Sequence, residues 1–161
     1  MMYADSPGCS STPSPLQSAA HYTRGGLAPV PGHEQTEHQR TQRLQAEIVA
    51  LRAWAESHRF LGRKSVKPDD RGSEHVVQFN EETQRVFKQT RVDSHKGFGI
   101  ALGSYSRGAM PSEYLDRLEL NNRIFQDDVR LEYLIVESNH RLSIVTSQPF
   151  IRGQRFHTKG D

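Results

Sequence analysis

The run of residues 72–90 leaves a chain of this kind few folds to choose from. Gly72-Ser73-Glu74-His75 reads as a tight turn, Val76 to Phe79 as a strand, Asn80 to Gln84 as a hairpin link and Arg85 to Thr90 as a second strand. Val76, Val77, Phe79, Val86 and Phe87 suit a pleated, half-buried surface. Gly72 tolerates backbone angles that other residues resist, and it can offer its amide to a ligand. Lys88 falls mid-strand among apolar neighbours. A lysine there either snorkels outward or meets a negative charge. The plain alternative is an exposed lysine on an edge strand.

A length of 161 residues fits one domain with a tail. Hydrophobic residues make up 34% and charged residues 25%, an average polar enough that part of the chain is expected not to pack. With 21 basic and 19 acidic residues the formal charge is +2, which gives no electrostatic case for nucleic acid as a partner. Cys9 is the only cysteine, so an internal disulfide and a cysteine zinc site are excluded. No apolar run approaches the roughly 20 residues of a membrane helix. The first fifteen residues lack the basic and apolar segments of a secretory signal. A cytoplasmic protein with no membrane partner is the expectation.

Residues 1–33 hold most of the prolines and few large aliphatics, so a disordered tail is expected there. Residues 34–58 read as an amphipathic helix, with Leu44, Ile48, Leu51 and Ala55 at four-three-four spacing and Trp54 beside them. Residues 59–153 form the main domain and residues 154–161 a polar tail. Within the domain, residues 60–66 are read as a first short strand, residues 69–74 as a loop, and residues 98–102 as a further strand. Residues 111–126 make a second helix, with Pro111 in its first turn and Glu113 near its positive end. Residues 129–136 and 141–146 pair as a hairpin, and Pro149 is expected to leave the sheet. The fold class is therefore α+β: an antiparallel sheet with one packed helix, preceded by an amphipathic helix and a disordered tail.

The order of glycine turn, strand, hairpin, strand with lysine, helix and two strands resembles the small lobe of a protein kinase. More closely, the chain is similar to the serine/threonine/tyrosine kinase domain of polyvalent proteins from bacterial phages and mobile elements. The residues that carry this are Gly72 to His75, Val86-Phe87-Lys88, Pro111 to Leu115 with Arg117-Leu118, Asn122, Phe125, Asp127-Asp128, and Ile144 to Phe150. The likeness spans residues 44–153. It implies ATP as cofactor, with Gly72, Ser73, Glu74 and His75 over the phosphates and Lys88 bridging two of them. It implies that Glu113, or alternatively Glu119, orients Lys88, and that Gln148 lies at the hinge beside the adenine. Nothing in the chain reads HRDxxxxN or DFG, so no catalytic residue and no metal ligand is assigned. Magnesium is implied only where a second lobe is supplied.

The expected function is thus a truncated or split kinase-like nucleotide-binding lobe, protein-kinase-like in class but without phosphotransfer alone. Its implied partner is the missing large lobe or a host protein. The alternative is a non-enzymatic protein-interaction module on the same scaffold. A third reading, a hydrolase or nuclease, has only Glu74, His75, Asp93 and His95 as local candidates, without a recognised spacing.

Overall fold

The computed structural model describes residues 12–25, 36–62, 64–72, 74–91, 98–99, 108–137 and 141–152. It is an α+β arrangement of three helices and an antiparallel sheet. The elements run α1 (Pro15–Thr23), α2 (Glu37–Ser57), β1 (Asp70–Arg71), β2 (His75–Asn80), β3 (Arg85–Thr90), α3 (Pro111–Phe125), β4 (Arg130–Val136) and β5 (Leu142–Pro149). The sheet order is β1-β2-β3-β5-β4, with β1 only two residues long. Among the described residues no helix is long and apolar enough to cross a membrane.

Strand parity separates the two faces. Lys88 pairs with Val77 on one side and Thr146 on the other, so these three share a face. So does Ile144, which lies in the helix-side core with Leu51, Trp54, Tyr114, Leu115, Leu131 and Leu134. The opposite face carries a smaller cluster of Val66, Ile135 and Val145, joined by Val76, Phe87 and Tyr133. The helices therefore cover the face that bears Lys88.

Within residues 1–33, where a disordered tail is expected, α1 corrects that expectation for Pro15–Thr23. Ser14 caps it by accepting from Gln17 N at 3.1 Å, and Pro15 takes the first turn. Leu16, Ala19, Ala20 and Thr23 recur at helical spacing and are all buried. The small alanines let the helix lie close against α2 and α3, so little apolar mass is needed to hold it.

α2 starts with a capping box between Thr36 and Gln39. It ends where Arg59 turns left-handed, at φ 61°, and Phe60 N donates to Ala55 O at 2.8 Å. The described residues among 60–66 do not form the first strand of the sheet. Leu61 makes only an isolated parallel bridge with Leu134, on the outer edge of β4. Gly62 is needed there, because a Cβ would sit 2.3 Å from the Tyr133 ring. The short β1 falls instead inside residues 69–74, which were expected to be loop. β5 also runs further than expected, to Pro149. Phe150 N donates to Gln84 O at 2.9 Å, and β4 has already ended opposite Ser147, so the imide nitrogen of Pro149 meets no ladder position. Of the strand expected over 98–102, Phe98 and Gly99 lie in a turn and the rest is outside the described residues.

Candidate functional site

Lys88 stands mid-way along β3 on the helix side, flanked by Val77 and Thr146. Its Nζ donates to Gln148 Oε1 at 3.1 Å. Burial pulls the amine below the usual lysine range, and the negative charge of Asp127, just beyond α3, opposes that. The cross-strand register brings two of the expected residues, Lys88 and Gln148, into contact. Gln148, expected at a hinge, lies within β5 near its end and meets Lys88 through its side chain.

The expected pair between Lys88 and a helix carboxylate is not formed. Glu113 is the third residue of α3, and its Oε2 accepts from Met110 N at 2.9 Å, closing the helix start. The alternative, Glu119, accepts from Ser14 Oγ at 2.8 Å and so faces α1. A carboxylate in the first turn of a helix is drawn to the unpaired N–H groups there, and that demand takes Glu113.

The glycine turn differs from expectation in the same way. Gly72 N donates to His75 O at 2.9 Å, so its amide closes the β1–β2 turn and is not presented to a ligand. A Cβ at Gly72 would meet only His75 O, at 3.7 Å. Ser73 lies outside the described residues, as do Asp93 and His95. Glu74 and His75 instead send their side chains toward α3.

There they meet Tyr114 and Arg117, two residues not expected in the site. His75 Nε2 is 3.0 Å from the Tyr114 hydroxyl, and the Arg117 guanidinium carbon lies 5.5 Å from the Tyr114 ring centroid. Glu74 Oε2 is 3.9 Å from both Arg117 Nη2 and His75 Nδ1. Burial lowers the His75 pKa to about 4; Glu74 works against this, and Lys88 and Arg117 reinforce it. Tyr114 is buried, which pushes its pKa up to about 12, with Thr146 and Arg117 working against the rise. Gly99, at φ 99°, closes the cluster: a Cβ there would lie 2.7 Å from Arg117 Nη2. The three-residue spacing of Tyr114 and Arg117 on a helix facing the lysine strand was the available signal.

This arrangement suits the binding of an anion. Among the described residues, Lys88, Arg117 and the neutral imidazole of His75 share one side of the sheet with the Glu74 carboxylate. Among the described residues no group of three His, Cys, Asp or Glu side chains is placed to hold a metal. Asp128 is taken up by Arg85 at 2.8 Å and Arg130 at 2.6 Å.

A cavity of about 630 Å³ opens elsewhere, between α1, the end of α2 and α3, lined by Ser18, Tyr22, Trp54, His58, Leu120 and Arg123 among others. Its charged wall is largely spent within the protein, since Arg24 pairs with Asp116 and Ser14 with Glu119. The cluster around Lys88 is the better candidate because Lys88 is half-buried on the helix side of the sheet, bonded to Gln148, with its pKa lowered by burial. No family model, no curated protein and no solved structure matches the chain.

Proposed function

We propose that the chain is a kinase-like nucleotide-binding lobe of the polyvalent-protein type, in which Lys88 holds the phosphates of ATP. The observation that carries this reading is the place of Lys88: mid-strand, half-buried, on the helix side of the sheet and bonded to Gln148. A buried amine whose charge is penalised by desolvation gains from a polyanion more than an exposed one does. Arg117 and His75 nearby fit the phosphate end of the ligand. The role proposed is binding in the cytoplasm. Phosphoryl transfer also needs an acidic base and metal ligands, and no residue here is assigned either part. Those parts belong, on this reading, to a partner lobe.

Calorimetric titration of the full chain with ATP tests it. Binding is expected, weakened at least tenfold by Lys88→Ala, about 1.4 kcal/mol. No binding at millimolar ATP, or equal affinity in the variant, overturns the reading. The second reading, a protein-interaction module, is favoured by Leu120, Ile124 and Phe125, which are 44%, 60% and 69% exposed along α3. The sheet offers less: Val145 is fully buried, and among the described residues beyond it the exposed large hydrophobics are Phe150 and Ile151. A complex that withstands Lys88→Ala but not Phe125→Ser would support this second reading.

A further inference from the structure

We propose that the cavity between α1, the end of α2 and α3 is a second binding site, for a free aromatic amino acid. Glu119 takes the ammonium group, Arg123 takes the carboxylate, and the ring lies against His58 and Tyr22. The inference goes beyond the nucleotide-lobe reading and does not depend on it.

Three helices line the cavity. α3 contributes Asp116, Glu119, Leu120 and Arg123, which recur along one helical face. α1 contributes Gln17, Ser18, His21 and Tyr22, and α2 contributes Trp54 in its last turn with His58 just beyond. A volume of about 630 Å³ is that of a small-molecule site.

One wall is flat and already fixed. His58 stacks on Trp54, with ring centroids 4.7 Å apart and planes 17° apart. Trp54 is 1% exposed, and its Nε1 donates to Ser18 Oγ at 3.1 Å. His58 Nδ1 lies 2.8 Å from Trp54 O, which holds the imidazole in place. His58 is exposed, so a further ring can extend the stack, and the exposed Tyr22 and Leu120 line the same cavity.

The charges decide the ligand. Asp116 is paired with Arg24, and the two cancel. Glu119 and Arg123 stand four residues apart on α3 with the acid toward the N-terminus, the order that favours an ion pair on a helix. That pair is not formed. Glu119 Oε2 accepts from Ser14 Oγ at 2.8 Å, and among the described residues Arg123 has no hydrogen bond or ion pair. A bond from a hydroxyl leaves the carboxylate charge uncancelled and its other oxygen able to accept. One acid and one base thus line the cavity without meeting, and a zwitterion satisfies both. An aromatic anion would leave Glu119 unmatched, and an aromatic amine would leave Arg123 unmatched. The C-terminal ends of α1 and α2 at the cavity add partial negative charge, which suits an ammonium group.

The test is calorimetric titration of the full chain with L-tryptophan and with molecules that each lack one part of it. Indole-3-propionate lacks the ammonium, tryptamine lacks the carboxylate and L-alanine lacks the ring. L-Tryptophan is expected to bind with a Kd below about 1 mM, and each of the others about tenfold or more weakly. Glu119→Gln is expected to close the gap between L-tryptophan and indole-3-propionate to within about threefold, and Arg123→Met the gap between L-tryptophan and tryptamine. A variant that merely loosened the fold would weaken all these ligands alike, and that result overturns the assigned roles. ATP is expected not to compete. Absence of binding at about 10 mM L-tryptophan overturns the proposal, and so does displacement by ATP. Equal affinity for indole-3-propionate or for tryptamine overturns it too, by showing a site that reads a single charge. Should either variant unfold, the ligand series on the natural chain decides.

Discussion

His75 is where burial and charge act together most strongly on a single side chain. Its pKa falls from the ordinary value near 6.5 to about 4, through burial first, with Glu74 opposing and Lys88 and Arg117 adding to the fall. Between about pH 4 and 6.5 the unfolded chain binds a proton at this position and the folded chain does not. Stability therefore rises with pH across that window and is lost as pH falls through it. The size expected is on the order of 3 kcal/mol at full effect. Glu74, Lys88, Tyr114 and Arg117 all face the ring, so the comparison must be between variants. Urea midpoints of the natural chain and of His75→Gln, taken from pH 7 down to pH 4, should converge as the pH falls. Parallel curves would show that His75 does not titrate as its surroundings dictate. At this scale the sequence marks Lys88 well, because a lone cation in an apolar strand is conspicuous. It does not mark the partner. Glu113 looks free in one dimension, and only the unpaired amides of its own helix start show why it is not.

Among the elements, α2 and α3 are joined by a bond that periodicity does not reveal. Glu47 is 3% exposed, and its two oxygens serve different helices. Oε1 accepts from Arg43 Nε at 2.8 Å within α2, while Oε2 accepts from Ser112 N at 3.0 Å in the first turn of α3. One carboxylate thus satisfies an amide that the helix cannot pair and sits at its positive end. Glu47→Ala strands that buried amide and leaves the partly exposed Arg43 cation without its partner, with an expected loss of about 2–4 kcal/mol. Glu56→Ala breaks only an exposed pair with Arg52 and should cost less than about 0.5 kcal/mol. Urea unfolding of the two variants checks the contrast, and similar losses would refute it. The core strands and the two long helices are legible because turn residues and apolar spacing agree over many positions. Residues 60–66 are not, since an apolar run after a helix reads the same whether it joins a sheet or lies along its outer edge.

The whole molecule depends on a segment whose composition argues against it. Residues 1–33 are rich in Ser, Pro, Gly and Ala, yet α1 completes the helix-side core. Composition averages over the segment, whereas packing depends on four positions, Leu16, Ala19, Ala20 and Thr23, that share one face. Ser18 on the same helix accepts from Trp54 Nε1 at 3.1 Å. Without α1 that indole loses its partner, and Leu51, Trp54 and Leu115, each at most 1% exposed, lose part of their cover. Leu16 alone, fully removed from water, is worth about 1.5–3 kcal/mol, and a net stability of only about 5–15 kcal/mol is usual. A chain lacking residues 1–25 is therefore expected to unfold with low cooperativity and to expose Trp54. The single tryptophan makes the measurement direct: its emission should shift to the red, and its thermal midpoint should drop by about 8 °C or more. If the shortened chain keeps a blue-shifted emission and the midpoint of the full chain, α1 is a surface addition, and the domain begins with α2.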